Sequence, residues 1–198
     1  MLETHKKETG QMIFNNKLFD KNDYSKEEII KGEYENCTFK NCDFSNSNIS
    51  NCTFIECTFE CCNLSLTKVK NTALRDAKFK NCKLLGVMFC ECNIFLISVA
   101  FEGCQLTLAS FYKLRIKGTD FKNCSLSEVD FSGADLTSST FANCDLGRAI
   151  FSGTVLEKAD FVSSHNYSID PETNRIKKAR FSLPGIIGLL NRYDIEIE

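Results

Sequence analysis

Twelve cysteines are the residues of this 198-residue chain with the most chemical potential. Cysteine thiols can form disulfides, bind zinc or act as nucleophiles. Here they recur as C-x4-C, not as the paired C-x2-C of zinc sites, and no histidine falls at a spacing that completes a site. Neither of the two histidines, His5 and His165, has a Cys or Ser partner fixed by spacing. We therefore expect structural thiols, no catalytic residues, no metal or cofactor, and no enzyme activity.

The composition narrows the class of protein. The formal net charge is −2 and the sequence pI is about 5.8, which disfavour a strongly basic nucleic-acid-binding protein. No apolar run approaches the ~18 residues of a membrane span, and the first residues contain no apolar leader. We therefore expect one cytoplasmic chain with reduced thiols, no direct nucleic-acid contact and no membrane partner.

A large apolar residue recurs at every fifth position between Tyr34 and Phe161. This period fits neither a helix, at about 3.6 residues, nor a strand, at about 2.0, and it is typical of a repeat protein. If four five-residue units make one coil, residues twenty apart stack. One two-residue insertion at positions 95–100 then keeps the columns in register. Ten cysteines lie two residues before a repeat centre, where other units carry small residues, so this position should also point inward.

The repeat centres form four predicted columns, which define faces 1 to 4 of an all-β solenoid. Face 1 contains Phe39, Phe59, Phe79, Phe101, Phe121, Phe141 and Phe161. Face 2 contains Phe44, Leu64, Leu84, Leu106, Leu126 and Leu146. Face 3 contains Ile49, Val69, Phe89, Phe111, Phe131 and Phe151. Face 4 contains Tyr34, Phe54, Leu74, Ile94, Ile116, Leu136 and Leu156. Coils should be about 4.8 Å apart, and the outer Asn, Asp and Ser residues should form turns at the corners.

Both ends depart from the repeat and divide the chain into three parts. Residues 1–33 are predicted to form a tail and cap, with residues 25–28 as a capping box for a helical turn. Residues 34–161 form the β-helix. Residues 162–198 should contain a loop, a last repeat fragment at Ile176 and Phe181, and a short helix capped by Ser182.

The end helix is apolar over much of its surface, which favours a two-fold dimer contact over a monomeric cap. The candidate dimer contacts are Ile186, Ile187, Leu189, Leu190 and Ile195.

Three groups of outer residues are candidates for binding a partner. The insertion supplies Phe95, Leu96 and Ile97. The second group is a set of regularly spaced acids: Asp120, Asp130, Asp135, Asp145 and Asp160. These acids could mimic the phosphates of duplex DNA, or they could be ordinary turn residues. The third group consists of apolar residues outside the core register: Leu66, Leu85, Met88, Leu108 and Tyr112. They are predicted to lie near one corner, with the insertion near the opposite corner, and an exposed apolar cluster can mark a contact site.

The repeat motif is five residues long: a small residue, any residue, Leu or Phe, and two further residues. It is clear at Ala134 and Leu136, and again at Ala159 and Phe161. It resembles the pentapeptide-repeat family, whose members form a right-handed quadrilateral β-helix. The C-terminal segment, with residues 168–176 followed by Leu189 and Leu190, is similar to that of the topoisomerase-protecting branch, the quinolone-resistance and microcin immunity proteins. This resemblance implies dimerisation through the end helix and a role in antibiotic or toxin resistance.

Three hypotheses of function follow. The first is a dimeric, non-enzymatic rod, acting as a DNA mimic, that binds DNA gyrase or topoisomerase IV and protects it from poisons. The second is a scaffold for another cytoplasmic protein. The third is an enzyme, which would need a polar cleft lined by His165 and acids.

Overall fold

The computed structural model describes residues 4–6, 12–95, 97–193 and 195–196. They form a four-sided rod of stacked coils, in which residues one coil apart pair in parallel, as Phe39 does with Phe59. The predicted all-β solenoid is therefore confirmed. Each coil contributes one short segment to each face, because the chain turns a corner every five residues.

The strands are short because the corners interrupt them. They are β1 (Thr4–Lys6), β2 (Met12–Asn15), β3 (Leu18–Asp20), β4 (Gly32–Glu35), β5 (Thr38–Lys40), β6 (Thr53–Ile55), β7 (Thr58–Glu60), β8 (Ala73–Arg75), β9 (Ala77–Lys80), β10 (Val99–Glu102), β11 (Asp120–Lys122) and β12 (Thr140–Ala142). The 3₁₀ helices are Phe89–Glu91, Pro184–Leu189 and Asn191–Tyr193. Within the described ranges, no helix is long and apolar enough to cross a bilayer.

Two parallel sheets make faces 1 and 4. The face 1 sheet has the order β12-β11-β10-β9-β7-β5-β3. The face 4 sheet has the order β1-β2-β4-β6-β8, and β1 joins it antiparallel to β2. Faces 2 and 3 are held by single parallel bridges, such as Gln105 with Ser125 and Ser110 with Asp130.

Stacked aromatic rings fill the interior. The phenylalanine column of face 1 is longer than the sequence predicted, because Phe19 stacks on Phe39 at 4.7 Å between ring centroids and Phe181 stacks on Phe161 at 5.3 Å. The nine rings are Phe19, Phe39, Phe59, Phe79, Phe101, Phe121, Phe141, Phe161 and Phe181. Rings of neighbouring columns meet edge to face, another geometry that aromatic pairs favour.

The small inward residues bond to the backbone as well as filling space. The Cys62 thiol donates to the Phe39 carbonyl oxygen at 3.3 Å, and the Thr67 hydroxyl, at the same repeat position, donates to the Phe44 carbonyl oxygen at 2.8 Å. Both acceptors lie in the preceding coil. The prediction of a small apolar filler was therefore incomplete, because a thiol is also a weak hydrogen-bond donor.

The corners place their residues in the left-handed region of backbone space. Asn36, Asn51 and Asn71, each two residues after a repeat centre, have φ of 49°, 63° and 56°. Asparagine tolerates this conformation better than other non-glycine residues. The Asn71 side-chain amide also donates to Asn51 Oδ1 in the coil before, at 3.0 Å. The interpretation of the outer asparagines as turn residues is confirmed.

Face 1 continues without interruption through the insertion. Val99 and Phe101 pair with Ala77 and Phe79 across β10 and β9. The two-residue shift that the sequence predicted for this column is therefore confirmed.

Face 4 differs from the prediction at the same place. Ile94, expected to point inward, is 72% exposed, and Ile97 packs against the core instead. The chain leaves the regular path after Asn93 and returns at Ser98, whose backbone N–H donates to the Leu74 carbonyl oxygen at 2.9 Å. Ile94 is five residues after Phe89 and satisfies the repeat, whereas Ile97 is four residues before Phe101 and does not, so the sequence pattern selected the isoleucine that the structure exposes.

Regular coiling begins before residue 34. Strand β2 pairs with β4 in register, and Phe14 stacks on Tyr34 with ring centroids 4.6 Å apart. Residues 12–31 therefore form a coil, which also closes the N-terminal end. The predicted capping box is wrong, since residues 25–28 are not helical and Asp23 instead accepts hydrogen bonds from Ser25 and Lys26 in a turn.

A further coil follows Phe161. Arg175 and Arg180 pair with Val155 and Asp160 of the coil before. The last repeat fragment predicted at Ile176 and Phe181 is thus present. The Ser182 hydroxyl accepts the Gly185 N–H at 3.1 Å, as predicted for a capping serine, although the helix that follows is 3₁₀ and not α-helical.

Candidate protein-binding surfaces

The five candidate aspartates lie on all four faces of the rod. Asp120 and Asp160 are on face 1, Asp145 on face 2, Asp130 on face 3 and Asp135 on face 4. A mimic of duplex phosphates needs closely spaced charges along a line. These residues do not form such a line.

The same carboxylates are engaged within the chain. Asp130 and Asp160 accept the backbone N–H groups of Ser132 at 2.8 Å and Val162 at 3.0 Å. Asp160 also pairs with Arg180 Nη1 at 2.7 Å. Accepting the N–H two residues ahead is the ordinary role of aspartate in a turn, which was the alternative interpretation of these residues.

Asp135 shows how far this engagement goes. Its carboxylate accepts both the Thr137 hydroxyl, at 2.6 Å, and the Thr137 backbone N–H, and Lys117 Nζ is 3.2 Å away. Burial alone would raise the pKa of Asp135, but these donors together lower it below its usual value. The side chain is thus held as an anion by its own coil and the coil before it.

The insertion lies over the corner between faces 3 and 4. Ile94 and Phe95 line a groove of about 300 Å³ with Lys113 and Arg115 of the next coil. The insertion then spans face 4 to its corner with face 1, where the Ser98 hydroxyl donates to Asp76 Oδ1 at 2.8 Å. Phe95, at the start of the insertion, therefore lies away from the predicted position opposite the apolar corner, whereas Ser98 at its end reaches that position. Phe95 is 67% exposed and free to meet a partner, whereas Leu96 lies outside the described residues.

Ile97 contributes less to this surface than predicted. It is partly buried and packs against the core cluster. Of the three candidate contacts in the insertion, Phe95 is therefore the one that the structure describes as well exposed.

Exposed apolar side chains are concentrated on face 3 and its corner with face 2, in the middle of the rod. They are Leu66, Leu85, Met88, Leu108 and Tyr112, each between 40% and 55% exposed. We term these five residues the leucine corner. Four of them lie at the corner between faces 2 and 3, as predicted, whereas Tyr112 lies one residue after Phe111, towards the corner between faces 3 and 4 and beside Lys113.

The leucine corner is continuous over three coils. The Leu66 N–H donates to the Leu85 carbonyl oxygen of the next coil at 2.8 Å, and the Gly86 N–H donates to Thr107 of the third coil at 3.0 Å. A Cβ on Gly86 would meet Leu66 Cδ2 at 2.9 Å, so the Leu66 side chain extends across this glycine. Leu108 occupies the same corner position one coil further on.

Two of these leucines occupy a backbone conformation that suits them poorly. Leu66 and Leu108 have φ of 57° and 61°, where other coils place Asn46 or Gly86. The left-handed conformation costs an ordinary L-residue about 1–2 kcal/mol. Local preference and solvent exposure both disfavour leucine here, and conflicts of this kind are expected at functional sites.

The C-terminal helix is fixed to the end of the rod by its own chain. Tyr167 is buried beneath Gly185 and Gly188, where an added Cβ would lie 2.0 Å from the Tyr167 hydroxyl and 2.3 Å from its carbonyl oxygen. The Ile169 N–H donates to the Gly188 carbonyl oxygen at 2.9 Å. Only glycine allows this close approach.

The candidate dimer contacts divide into two groups. Ile186, Ile187 and Ile195 are exposed. Leu189 packs against the core of its own chain and Leu190 is half-buried. The outer group is available to a second copy, and the inner group holds the helix in place.

A groove of about 600 Å³ separates this helix from the last coils. His165, Asn166 and Ser182 are among the residues that line it. No carboxylate or thiol is among its described lining residues. The Asp145 carboxylate lies next to this groove, with Oδ1 4.0 Å from His165 Nε2, and it already accepts the Gly147 N–H and the Asn166 amide.

The twelve thiols are all free, and ten of them are buried. Cys61 is exposed and Cys90 is half-buried, as expected for the two cysteines outside the register. Burial raises the pKa of Cys92 to about 12. In the part of the chain that the structure describes, no group of three His, Cys, Asp or Glu residues is placed to hold a metal.

Comparison with solved structures gives several repeat proteins at low identity. Full-length QnrB1, a plasmid-mediated fluoroquinolone resistance protein, is 20% identical with a TM-score of 0.46, covering 92% of this chain and 100% of that chain. HetL, involved in heterocyst differentiation regulation in the cyanobacterium Nostoc sp. strain PCC 7120, is 16% identical with a TM-score of 0.46, covering 87% and 85%. Rfr23 from the cyanobacterium Cyanothece 51142 is 12% identical with a TM-score of 0.24, covering 73% and 89%.

No curated protein matches the sequence. A family model described as the pentapeptide repeat region matches residues 33–97 and 94–166, which together make up more than half of the chain. These residues form most of the four-sided coils, with large apolar centres and small companions pointing inward. The protein therefore belongs to the pentapeptide-repeat family.

Proposed function

We propose that this protein is a non-enzymatic rod that acts in the cytoplasm by binding another protein. The observation that carries this proposal is the leucine corner. The candidate carboxylates accept hydrogen bonds from the chain itself, and the thiols are buried. The leucine corner, by contrast, is a continuous apolar surface exposed to water, and Leu66 and Leu108 within it have left-handed backbone conformations. Contiguous exposed apolar surface on a folded protein is typical of a contact site.

The proposed partner is DNA gyrase or topoisomerase IV, which the rod would protect from a quinolone or a microcin. Support comes from the resemblance of residues 168–176 and the apolar end helix to the topoisomerase-protecting branch. The aspartates on four faces argue against mimicry of DNA by a line of charge. The contact that we propose therefore uses the leucine corner and Phe95.

A supercoiling assay tests this partner. Purified gyrase inhibited by a quinolone or a microcin should recover supercoiling when the rod is added at stoichiometric amounts. A Leu66→Asn/Leu108→Asn variant should recover much less, and Leu18→Thr, which removes an exposed leucine from the far end, should behave as wild type. Absence of rescue by the wild-type rod, both of gyrase supercoiling and of topoisomerase IV decatenation measured in parallel, would remove the topoisomerase proposal.

We further propose a homodimer joined through the C-terminal helix. Its support is the exposure of Ile186 and Ile187 on a helix that is firmly held by Tyr167. An aspartate at Ile187 would place a charge in the interface without touching the buried side of the helix. Light scattering should then give the mass of two chains for wild type and of one chain for Ile187→Asp. A dimer that survives this change would place the interface elsewhere.

A second function is a scaffold for a different cytoplasmic protein. The placement of the five aspartates favours it, since a general scaffold needs no acidic line. Capture from lysate should then recover a protein other than a topoisomerase with wild type and Leu18→Thr, and not with Leu66→Asn/Leu108→Asn. Recovery of gyrase as the partner that depends on the leucine corner would contradict the scaffold function.

A further inference from the structure

We propose that the leucine corner binds an amphipathic, acid-flanked α-helix of the partner protein, which lies along the axis of the rod. This inference rests on the proposed function, because it assumes a protein partner. It goes further by naming the element that docks and the chemistry of its side chains.

The dimensions of the corner suit a helix in this direction. The rings of Phe59, Phe79 and Phe101 are 5.0 and 5.2 Å apart in successive coils, so Leu66 and Leu108, two coils apart, are separated by about 10 Å along the axis. Residues seven apart on one face of an α-helix are separated by about 10.5 Å, and residues three or four apart lie between them. Three apolar residues of such a helix would thus each meet one coil.

The shape of the corner leaves room for the apolar face of the helix. Gly86 lies between Leu66 and Leu108 in the same column and is left-handed like them, with φ of 65°. The Leu66 side chain extends over this glycine, with its Cδ2 2.9 Å from where a Cβ would stand, so the surface between the two leucines is apolar. A leucine or phenylalanine at the centre of the docking helix would lie on the Leu66 methyl group.

The charges around the corner determine which residues should flank the apolar face of the docking helix. Lys68 and Lys83 stand on the two faces that meet there, and Lys70 follows Lys68 on face 3. All three are exposed, and none has a carboxylate within ion-pairing distance among the residues that the structure describes. On the next coils, by contrast, Glu128 is already paired with Arg148 at 2.5 Å. Unpaired cations beside an apolar strip complement an apolar face bordered by glutamate or aspartate.

A fourth cation connects the corner to the insertion. Lys113 Nζ lies 4.8 Å from the centre of the Tyr112 ring, and its side chain lines the groove that contains Ile94 and Phe95. The border of face 3 next to the insertion therefore carries both an aromatic side chain, Tyr112, and a cation, Lys113. An acidic residue on the helix would bind Lys113 while its apolar face covers Tyr112.

The αL leucines allow a test that separates binding from folding. At this corner position other coils use asparagine, as at Asn46, with φ of 56°. Leu66→Asn/Leu108→Asn should therefore fold at least as well as wild type while it removes the ends of the apolar strip. The matched control is Leu18→Thr, which removes a 66% exposed leucine where the paired residue of the next coil is Thr38.

The probe is a fluorescein-labelled peptide of about four helical turns, with leucines on one face and glutamates on both flanks, titrated into the full-length chain. Anisotropy should show saturable binding to wild type and to Leu18→Thr. The double variant should bind at least about tenfold more weakly. The same peptide with lysines replacing the glutamates should not bind, and binding of the acidic peptide should weaken with added salt.

Four outcomes would overturn the inference. Three are no binding of the acidic peptide, equal binding to wild type and the double variant, and stronger binding of the lysine peptide. A fourth is a fall in oligomer mass in the double variant with unchanged peptide binding, which would make a second copy of the chain the occupant. Circular dichroism and melting curves must first show that the variant is folded.

The two proposals fail separately. If the peptide binds as expected but supercoiling is not rescued, the topoisomerase is the wrong partner and the helix-binding corner stands. If supercoiling is rescued equally by wild type and the double variant, the rod protects through another surface and the helix-binding inference is wrong.

Discussion

The coils around the insertion and the coils after Phe111 share one interior but present different outer surfaces. In the later coils, charges pair along the rod: Arg148 meets Glu128 at 2.5 Å and Arg180 meets Asp160 at 2.7 Å. In the middle coils Lys68 and Lys83 have no ion-pair partner in the described parts of the chain, and apolar side chains are exposed beside them. Stacked coils can therefore pair their own surface charges. The coils in the middle of the rod instead leave cations unpaired and apolar side chains exposed.

The largest expected effect tests whether the two regions have the same interior. Phe101, beside the insertion, and Phe121, in the later coils, are both buried in the face 1 column. Replacing either with alanine should lower the free energy of unfolding by about 3–5 kcal/mol, because the stack loses a ring and gains a cavity. Urea unfolding measures both. A much smaller loss at Phe101 would show that the insertion loosens the column.

The next largest effect should be a difference in thiol reactivity between the two regions. Cys61 and Cys90 are the accessible thiols, whereas Cys104, Cys124 and Cys144 of the later coils are all buried. Iodoacetamide at about pH 8, near the ordinary thiol pKa, should therefore modify Cys61 first and Cys90 more slowly. Mass spectrometry of peptides would identify them. Early modification of a thiol after Cys92 would contradict a closed later interior.

The same burial predicts a dependence of stability on pH. The pKa of Cys92 is raised from 9.0 in the unfolded chain to about 12 in the fold. Its contribution to stability is complete below pH 9 and is lost as the pH rises towards 12, since only the unfolded thiol ionises in this window. The slope should be about 1.4 kcal/mol per pH unit for such a thiol. Urea unfolding of wild type and of Cys92→Ala across this pH range isolates the contribution of Cys92 to the free energy of unfolding.

A smaller effect separates the two isoleucines of the insertion. Ile97→Ala should lower the free energy of unfolding by about 1–2 kcal/mol, because this side chain packs against the core. Ile94→Ala should change it by less than about 0.5 kcal/mol, because Ile94 is exposed. Thermal melts of the two single variants compare them directly. The reverse order would restore the original assignment of Ile94 to face 4.

The smallest effect concerns the surface ion pairs. A double-mutant cycle on Glu128 and Arg148 should give a coupling free energy of about 0.2–1 kcal/mol, reduced by added salt, because both side chains are accessible to water. Lys68→Ala, in the middle coils, should leave stability unchanged, since no carboxylate in the described chain pairs with it. A stabilising role for Lys68 as large as that of Arg148 would remove the contrast between the regions.

The sequence predicts the interior well because residues with the same surroundings repeat at a fixed interval. Phe79 and Phe101 could be paired across the break because only a two-residue shift keeps the column of phenylalanines intact. The coil at residues 12–31 was missed because its companions include Met12 and Glu27, which are not small, although Phe14 and Ile29 still reach the core.

The outer surface was harder to predict because it depends on which face each residue joins. The interval between Asp130, Asp135 and Asp145 is regular along the chain, yet each corner turns the next residue to a different side. The leucine corner could be identified from register, but its continuity required the position of the Leu66 side chain over Gly86. Conversely, the helix after Ser182 was found from its cap, but its 3₁₀ form and its close packing on Tyr167 are visible only in the structure.

The insertion keeps a change of length on a single side of the molecule. Face 1 passes the break with Phe79 and Phe101 still stacked at 5.2 Å, while the irregular backbone comprises the 3₁₀ helix Phe89–Glu91 on face 3 and the segment between Asn93 and Ser98 on face 4. Descendants of this gene could therefore lengthen, shorten or rewrite the segment without disturbing the alignment of later coils. The rod thus has a position where new recognition loops can evolve or be grafted while the rest of the scaffold is inherited unchanged.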